Sequence, residues 1–280
     1  MYEQEIMLDM LIGTYKTDKS QNKLNLISSK NYIMNCAIVY MVYAKYNYLH
    51  TLDKDDYLNH NSCSIKNKSE FEYFYKRFRD EVTTKPIYKG ILNKKLCTYC
   101  INKVAEQVDH YLPQAIYPSY SIVLANLIPI CGTCNNTKRN QIPINNEWFF
   151  HPYFDRINEY FLDVHIEFKK TPTIKFSVPD GVFKEENYRK LNYGFEALDL
   201  YSEFSSLANN ELLDILDMYH ALVEENQRSA RIFLKKRLSQ TIVEGRLWKK
   251  SLYHEICKNI DFLLIGYIEY CQKFPSHHLR

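Results

Sequence analysis

Along residues 30–49 apolar positions recur three and four apart, with Ile33, Ala37, Tyr40, Met41 and Ala44 on one face. That spacing predicts an amphipathic helix. Its apolar centre, "IMNCAIVYMVYA" from 33 to 44, is the longest apolar run in the chain and too short to span a bilayer. The aromatic spacing in "EFEYFYKRFRDEV" (70–82) predicts a second such helix packed against the first. Between them, "TLDKDDYLNHNSCSIKNKS" is polar and rich in Asn and Asp, which predicts a solvent-exposed loop. From about 86 to 150 the pattern breaks into short segments punctuated by Pro, Gly and Asn. "EYFLDVHIEFKKTPTIKFSV" then alternates at period two, with Leu162, Val164, Ile166 and Phe168 followed by Ile174, Phe176 and Val178. A β-hairpin turning at "KKTPT" follows. Beyond about 190 helical periodicity returns. The expected fold is α+β and mostly helical, in segments 1–85 (helical), 86–150 (compact, irregular), 151–190 (hairpin extension) and 191–280 (helical).

Composition narrows this picture only slightly. Of the 280 residues, 46% are hydrophobic and 25% charged, which fits a globular chain and excludes a disordered one. The formal net charge of +3 neither demands nor excludes a polyanionic partner, so any such partner must be argued from local clusters. The acidic start, Met1-Tyr-Glu-Gln-Glu, lacks the basic and apolar regions of a secretory signal. A reducing, cytoplasmic setting without membrane partners is therefore expected, and the eight cysteines are not read as a disulfide framework.

Four of those cysteines form two tight pairs, Cys97/Cys100 in "LCTYC" and Cys131/Cys134 in "ICGTC". Two Cys-x-x-Cys knuckles supply the four thiolates of a tetrahedral structural zinc site. Between them, "VDHYLP" puts Asp109 beside His110 in a strand-like run, where neighbours point to opposite faces. The carboxylate is a hard oxygen ligand suited to Mg²⁺ or Mn²⁺, and a neutral imidazole can take a proton from water. Asn135, fixed beside Cys134, offers a second oxygen ligand; Asn126, opening "NLIPI", is placed to hold the imidazole in one orientation and tautomer. Lys138 and Arg139, one turn past the knuckle, suit phosphate contact. Together these residues describe a metal-dependent phosphodiesterase site on a zinc scaffold.

The stretch 97–140, with "CTYC", "VDHYLP", "NLIPICGTC" and "NNTK", resembles the HNH endonucleases of the ββα-metal fold in their zinc-stapled form. The resemblance implies His110 as general base, Asp109 and Asn135 as ligands of a catalytic Mg²⁺ or Mn²⁺, and Asn126 as the central Asn of the signature. It also implies Cys97, Cys100, Cys131 and Cys134 around structural Zn²⁺. The implied substrate is DNA, double-stranded by family analogy. "FFHPYFD" (149–155) is similar to bacterial HNH proteins thought to act against phage, some beside an ATPase partner. A homo-oligomer is also compatible with that reading.

Several features have simpler explanations. The "HIE" at His165–Glu167 mimics half of a zinc deaminase signature, but it follows the cysteines and falls on the polar face of the hairpin. His151 reads as packed or capping, while His60 and Cys63 read as exposed loop residues. Cys36, Cys257 and Cys271 read as small core residues, and His277 and His278 as part of a terminal tail. The stretch 228–250 carries eight basic residues and one acid. Arg231, Lys235 and Lys236 in it are candidates for tracking a phosphate backbone, against the plainer reading of a solvated helix face. The competing function is a zinc-stapled module that binds nucleic acid or a protein without cutting.

Overall fold

The computed structural model describes residues 1–16, 20–93, 95–142, 148–155, 161–169 and 172–274. The first residues and the turn of the "EYFLDVHIEFKKTPTIKFSV" segment lie partly outside the described residues, and the tail with His277 and His278 lies wholly outside them. The chain divides into two compact units, one of Met1–Tyr99 with Lys103–Arg156 and the other of Cys100–Asn102 with Ile157–Arg280. The fold is mostly helical with small two-stranded sheets, an α+β arrangement as the sequence pattern predicts.

The first unit begins with helices α1 (Tyr2–Gly13), α2 (Gln21–Ser28) and α3 (Lys30–Lys45). In α3 the predicted face is buried, through Ile33, Ala37, Tyr40 and Ala44, joined by Tyr32 and Cys36. A short α4 (Asp56–Asn59) interrupts the long polar stretch, which is less exposed than its composition suggests. Leu52, Tyr57, Cys63 and Ile65, spaced singly among polar residues, all point inward. Cys63 is thus buried rather than exposed, its thiol donating to Ile65 O at 3.4 Å. Helix α5 (Lys68–Asp80) starts at an Asn N-cap, with Asn67 Oδ1 accepting from Glu70 N–H while Asn67 Nδ2 donates to the Glu70 carboxylate. It buries Phe71, Phe74, Tyr75 and Phe78 at i, i+3, i+4 and i+7, each phenylalanine contributing roughly 2–3 kcal/mol of transfer free energy. Helix α6 (Lys85–Leu92) falls where the pattern reads as irregular. Its Pro86 lies in the first turn, where proline starts a helix rather than breaking one.

Next come β1 (Gln107–His110) and β2 (Leu127–Ile130), antiparallel with Asp109 opposite Ile128 and His110 opposite Leu127. Helix α7 (Gly132–Lys138) follows directly, completing a ββα unit.

The second unit opens on the predicted hairpin, β3 (Asp163–Glu167) paired antiparallel with β4 (Thr173–Ser177). Ile174 and Phe176 are buried along with Leu162 and Val178, as the alternation requires. Strand β4 packs on α9 (Leu200–Glu225), which follows α8 (Glu185–Ala197), and β3 packs on α11 (Leu247–Lys273). Gly266 in α11 sits under the Phe168 ring, and a Cβ there would come within 2.8 Å of it. Helix α10 (Gln227–Glu244) packs against both α9 and α11. The short 100–102 turn belongs to this unit, with Leu247 N–H donating to Ile101 O and Trp248 Nε1–H to Asn102 Oδ1. Cys257 and Cys271 are half-buried here. Among the described residues no helix is long and apolar enough to cross a membrane.

Candidate active site

The first cysteine knuckle sits at the tip of a narrow loop. Leu96 and Val104 bridge antiparallel, and Cys97 N–H donates to Lys103 O. Thr98 ties this loop to the end of β2, with both its N–H and its hydroxyl donating to Pro129 O. The second knuckle starts α7, where Cys131 is the N-cap and Cys134 lies in the first turn. The Glu106 carboxylate accepts from Gly132 N–H at 3.2 Å, and a Cβ at position 132 would fall 2.9 Å from the same oxygen. The two knuckles bring Cys97, Cys100, Cys131 and Cys134 together, all buried, with their sulfurs within 4.8 Å of one another. Zn–S bonds of about 2.3 Å place tetrahedral sulfurs a little under 4 Å apart, so the group fits a structural zinc.

On β1 the side chains alternate as expected. Val108 and His110 turn inward, and Asp109, with a side chain 12% exposed, faces the other way. His110 lies against the edge of the Tyr75 ring of α5, with centroids 4.4 Å apart. Its Nε2 is 2.9 Å from Ser121 O. A carbonyl can only accept, so Nε2 carries the proton and the lone pair belongs to Nδ1. Burial, the largest influence, pushes the His110 pKa down to about 4, opposed by the Ser121 carbonyl and by Asp109. The imidazole is therefore neutral at ordinary pH and holds a basic nitrogen.

Asn126 does not touch that ring. Its amide is fully buried and spent on backbone, accepting from Leu112 N–H and donating to Leu112 O and Tyr120 O. It fixes the chain just after His110 and just before Ser121. The hydrogen bond that the sequence reading gives to Asn126 is made by Ser121, a residue whose role is invisible in sequence because only its carbonyl is used. The N-terminal helices brace the same loop: Gln4 of α1 donates to Ile122 O and accepts from Leu124 N–H, and Tyr32 of α3 shares a hydrogen bond with Ser119.

Helix α7 lies over the Asp109 side of β1. Asn135 Nδ2 donates to Gln107 Oε1 at 2.7 Å, and one turn later Lys138 Nζ donates to His110 O and sits 2.8 Å from Asp109 Oδ2. Lys138 is fully buried, so it is not at a surface where phosphate could meet it, whereas Arg139 is exposed. Asp109 Oδ2 is itself buried and has no aligned hydrogen-bond donor among the described residues. A buried carboxylate oxygen held by charge alone, on the strand face that also meets the Asn135 side chain, offers the oxygen chemistry of a hard divalent cation.

His151 is packed, 2% exposed, with Nδ1 accepting from Tyr153 N–H and Nε2 bonded to Tyr40 OH. In the second unit Arg231 is engaged by Asp261, and Lys235 and Lys236 are exposed on α10.

Residues 97–141 match the family model described as HNH endonuclease, and the chain carries an HNH endonuclease domain there. The chain is also similar to Protein ea31 of Escherichia phage lambda, 23% identical over an alignment of 186 positions that covers 59% of this chain and 62% of that protein. The chain thus spans less than two thirds of that relative's length. No solved structure matches the chain.

Proposed function

We propose that the protein is a metal-dependent endonuclease that hydrolyses phosphodiester bonds in DNA, double-stranded by preference. The observation that carries this reading is the fixed tautomer of His110, whose Nε2–H is tied to Ser121 O so that Nδ1 is the base. His110 Nδ1 takes a proton from the attacking water. Asp109 and Asn135 would hold the divalent ion, which would supply charge stabilisation to the phosphate and the leaving oxygen. Lys103 is tied to the hydroxyl of Thr133, and the zinc-bound knuckles keep α7 in register with β1. Exposed Arg139, Lys235 and Lys236 are the cations proposed to meet phosphates. One such site cuts one strand, so a double-strand break takes two protomers or two visits.

A second reading, a binding module without cleavage, is favoured by the burial of His110, by its turning to the face of β1 opposite Asp109, and by the engagement of Asp109 by Lys138. Supercoiled plasmid incubated with zinc-loaded protein and Mg²⁺ or Mn²⁺ separates the two. Nicking is expected, with a loss of at least about 100-fold in His110→Ala, the usual scale for a lost general base. Nicking that survives the substitution removes His110 from the mechanism, and no nicking with any divalent ion favours the binding module.

A further inference from the structure

Lys138 ends α7 with its ammonium wholly out of solvent. A buried ammonium needs counter-charge, and among the described residues Asp109 supplies it, with Oδ2 2.8 Å from Nζ. The relation is mutual, since Asp109 Oδ2 is buried and has no aligned hydrogen-bond donor among the described residues. The ammonium points its hydrogen bond at His110 O instead, 3.0 Å away, and serves Asp109 as a bare positive charge. That is the role a metal ion would take at the same oxygen.

The register of the two elements adds a second half to the argument. Gln107 and Asp109 are two apart on β1 and share a face, while Asn135 and Lys138 are three apart on α7 and share another. In this arrangement Asn135 reaches Gln107 and Lys138 reaches Asp109. The Asn135 amide and the Asp109 carboxylate therefore meet β1 at same-face positions two residues apart, with the ammonium on the carboxylate. Two cations in contact with one buried carboxylate repel strongly where little water screens them.

We propose that Lys138 is an internal surrogate cation on Asp109, and that a catalytic divalent ion binds by displacing its ammonium. The inference rests on the reading of Asp109 as a metal ligand. Lys138 is then a positioning residue. It keeps Asp109 oriented in the metal-free chain, and by competing for the carboxylate it weakens divalent binding. Its bond to His110 O gives the displaced ammonium a place to remain, so loading the ion also changes the grip on the backbone of the general base.

The test is divalent binding on the full zinc-loaded chain, measured by titration with Mn²⁺ and detection of free Mn²⁺ by electron paramagnetic resonance. Lys138→Met removes the competitor while keeping the length of the side chain, and Mn²⁺ affinity is expected to rise at least about tenfold. Affinity that is unchanged or lower in Lys138→Met overturns the proposal. Should that variant fail to fold, the wild-type chain still decides. Buried lysine ammonium groups exchange their protons slowly enough to be seen by nitrogen-detected resonance, and the Lys138 signal is identified by its loss in Lys138→Arg. A shift of that signal on saturation with Mg²⁺ is expected, and an unmoved signal at saturation overturns the displacement. Asp109→Asn distinguishes this failure from failure of the site itself. Divalent binding indifferent to Asp109 sinks the reading of the site, whereas binding that needs Asp109 but ignores Lys138 sinks only the surrogate.

Discussion

Two short antiparallel strands in this molecule each carry a histidine beside an acid, and they have opposite fates. On β1, His110 and Asp109 are adjacent, turned to opposite faces, and both largely removed from water. On β3, His165 and Glu167 are two apart on the same face, and the imidazole is 68% exposed. The β3 pair satisfies itself, with His165 Nε2 3.0 Å from Glu167 Oε1 and Lys169 closing on the other oxygen. The β1 pair is denied that internal contact. His110 is turned to Ser121 O and Asp109 to Lys138, so each acts on something other than its neighbour. Residue type and strand context are nearly the same in the two places. The difference comes from what covers the strand: α5 and α7 lie over β1, while the polar face of β3 meets solvent.

The strongest way to break this contrast is to remove the metal that fixes α7. A four-thiolate zinc contributes on the order of 10 kcal/mol to the folding of small metal-dependent domains. Cys131→Ser, or stripping zinc with a strong chelator, is therefore expected to unfold the ββα unit. The hairpin of the second unit depends on Phe176, Ile174 and the helices beneath them and keeps its structure. Amide hydrogen exchange resolves the two regions: protection is expected to vanish over 96–139 and persist over 163–177. Retained protection at β1 after complete zinc loss contradicts the scaffold role of the cysteines.

That asymmetry also explains what could be read from the chain alone. The cysteine spacing, the Asp-His step and the alternation of the hairpin are local patterns, and each forms the element its period predicts. Three features were not legible. Lys138 reads as a surface lysine at a helix end, and its burial follows only from Asp109 lying opposite, a contact 29 positions away in the chain. Ser121 acts through its backbone, which any residue type could supply. Helix α6 contains Pro86 and Gly90, which count as breakers unless the proline is already known to sit in the first turn. Local rules fail where a partner distant in sequence decides the outcome.

A sharper comparison comes from pH. The folded chain holds His110 neutral, with its pKa pushed down by burial from 6.5 to about 4. Above pH 6.5 neither state carries the proton and the full stability is present. As pH falls through the window from 6.5 to 4, the unfolded chain takes up a proton that the folded chain refuses, so stability is lost on acidification. The maximum loss is on the order of 3 kcal/mol. Glu167 behaves differently: its contacts with Lys169 and His165 hold its carboxyl down to about 2, so its contribution is lost only below about 4.5. Urea unfolding of the zinc-loaded chain between pH 7 and 4.5 is expected to show the His110 slope, and His110→Gln, which cannot titrate, is expected to flatten it. Equal slopes in the two proteins contradict the burial assigned to His110.

The smallest effect belongs to the hairpin pair. His165→Ala and Glu167→Ala remove a solvent-screened contact whose small gain is offset by freed side-chain entropy. Neither residue belongs to the four-cysteine group, and both sit on a strand whose opposite face supplies the packing. Zinc content and plasmid nicking are expected to match wild type, with the unfolding midpoint moved by no more than a degree or two. A loss of zinc or of nicking in either variant would mean that the acid–imidazole pair on β3 has a task that exposure alone hides. The line drawn here between a held pair and a self-satisfied pair would then have to be redrawn around something other than burial.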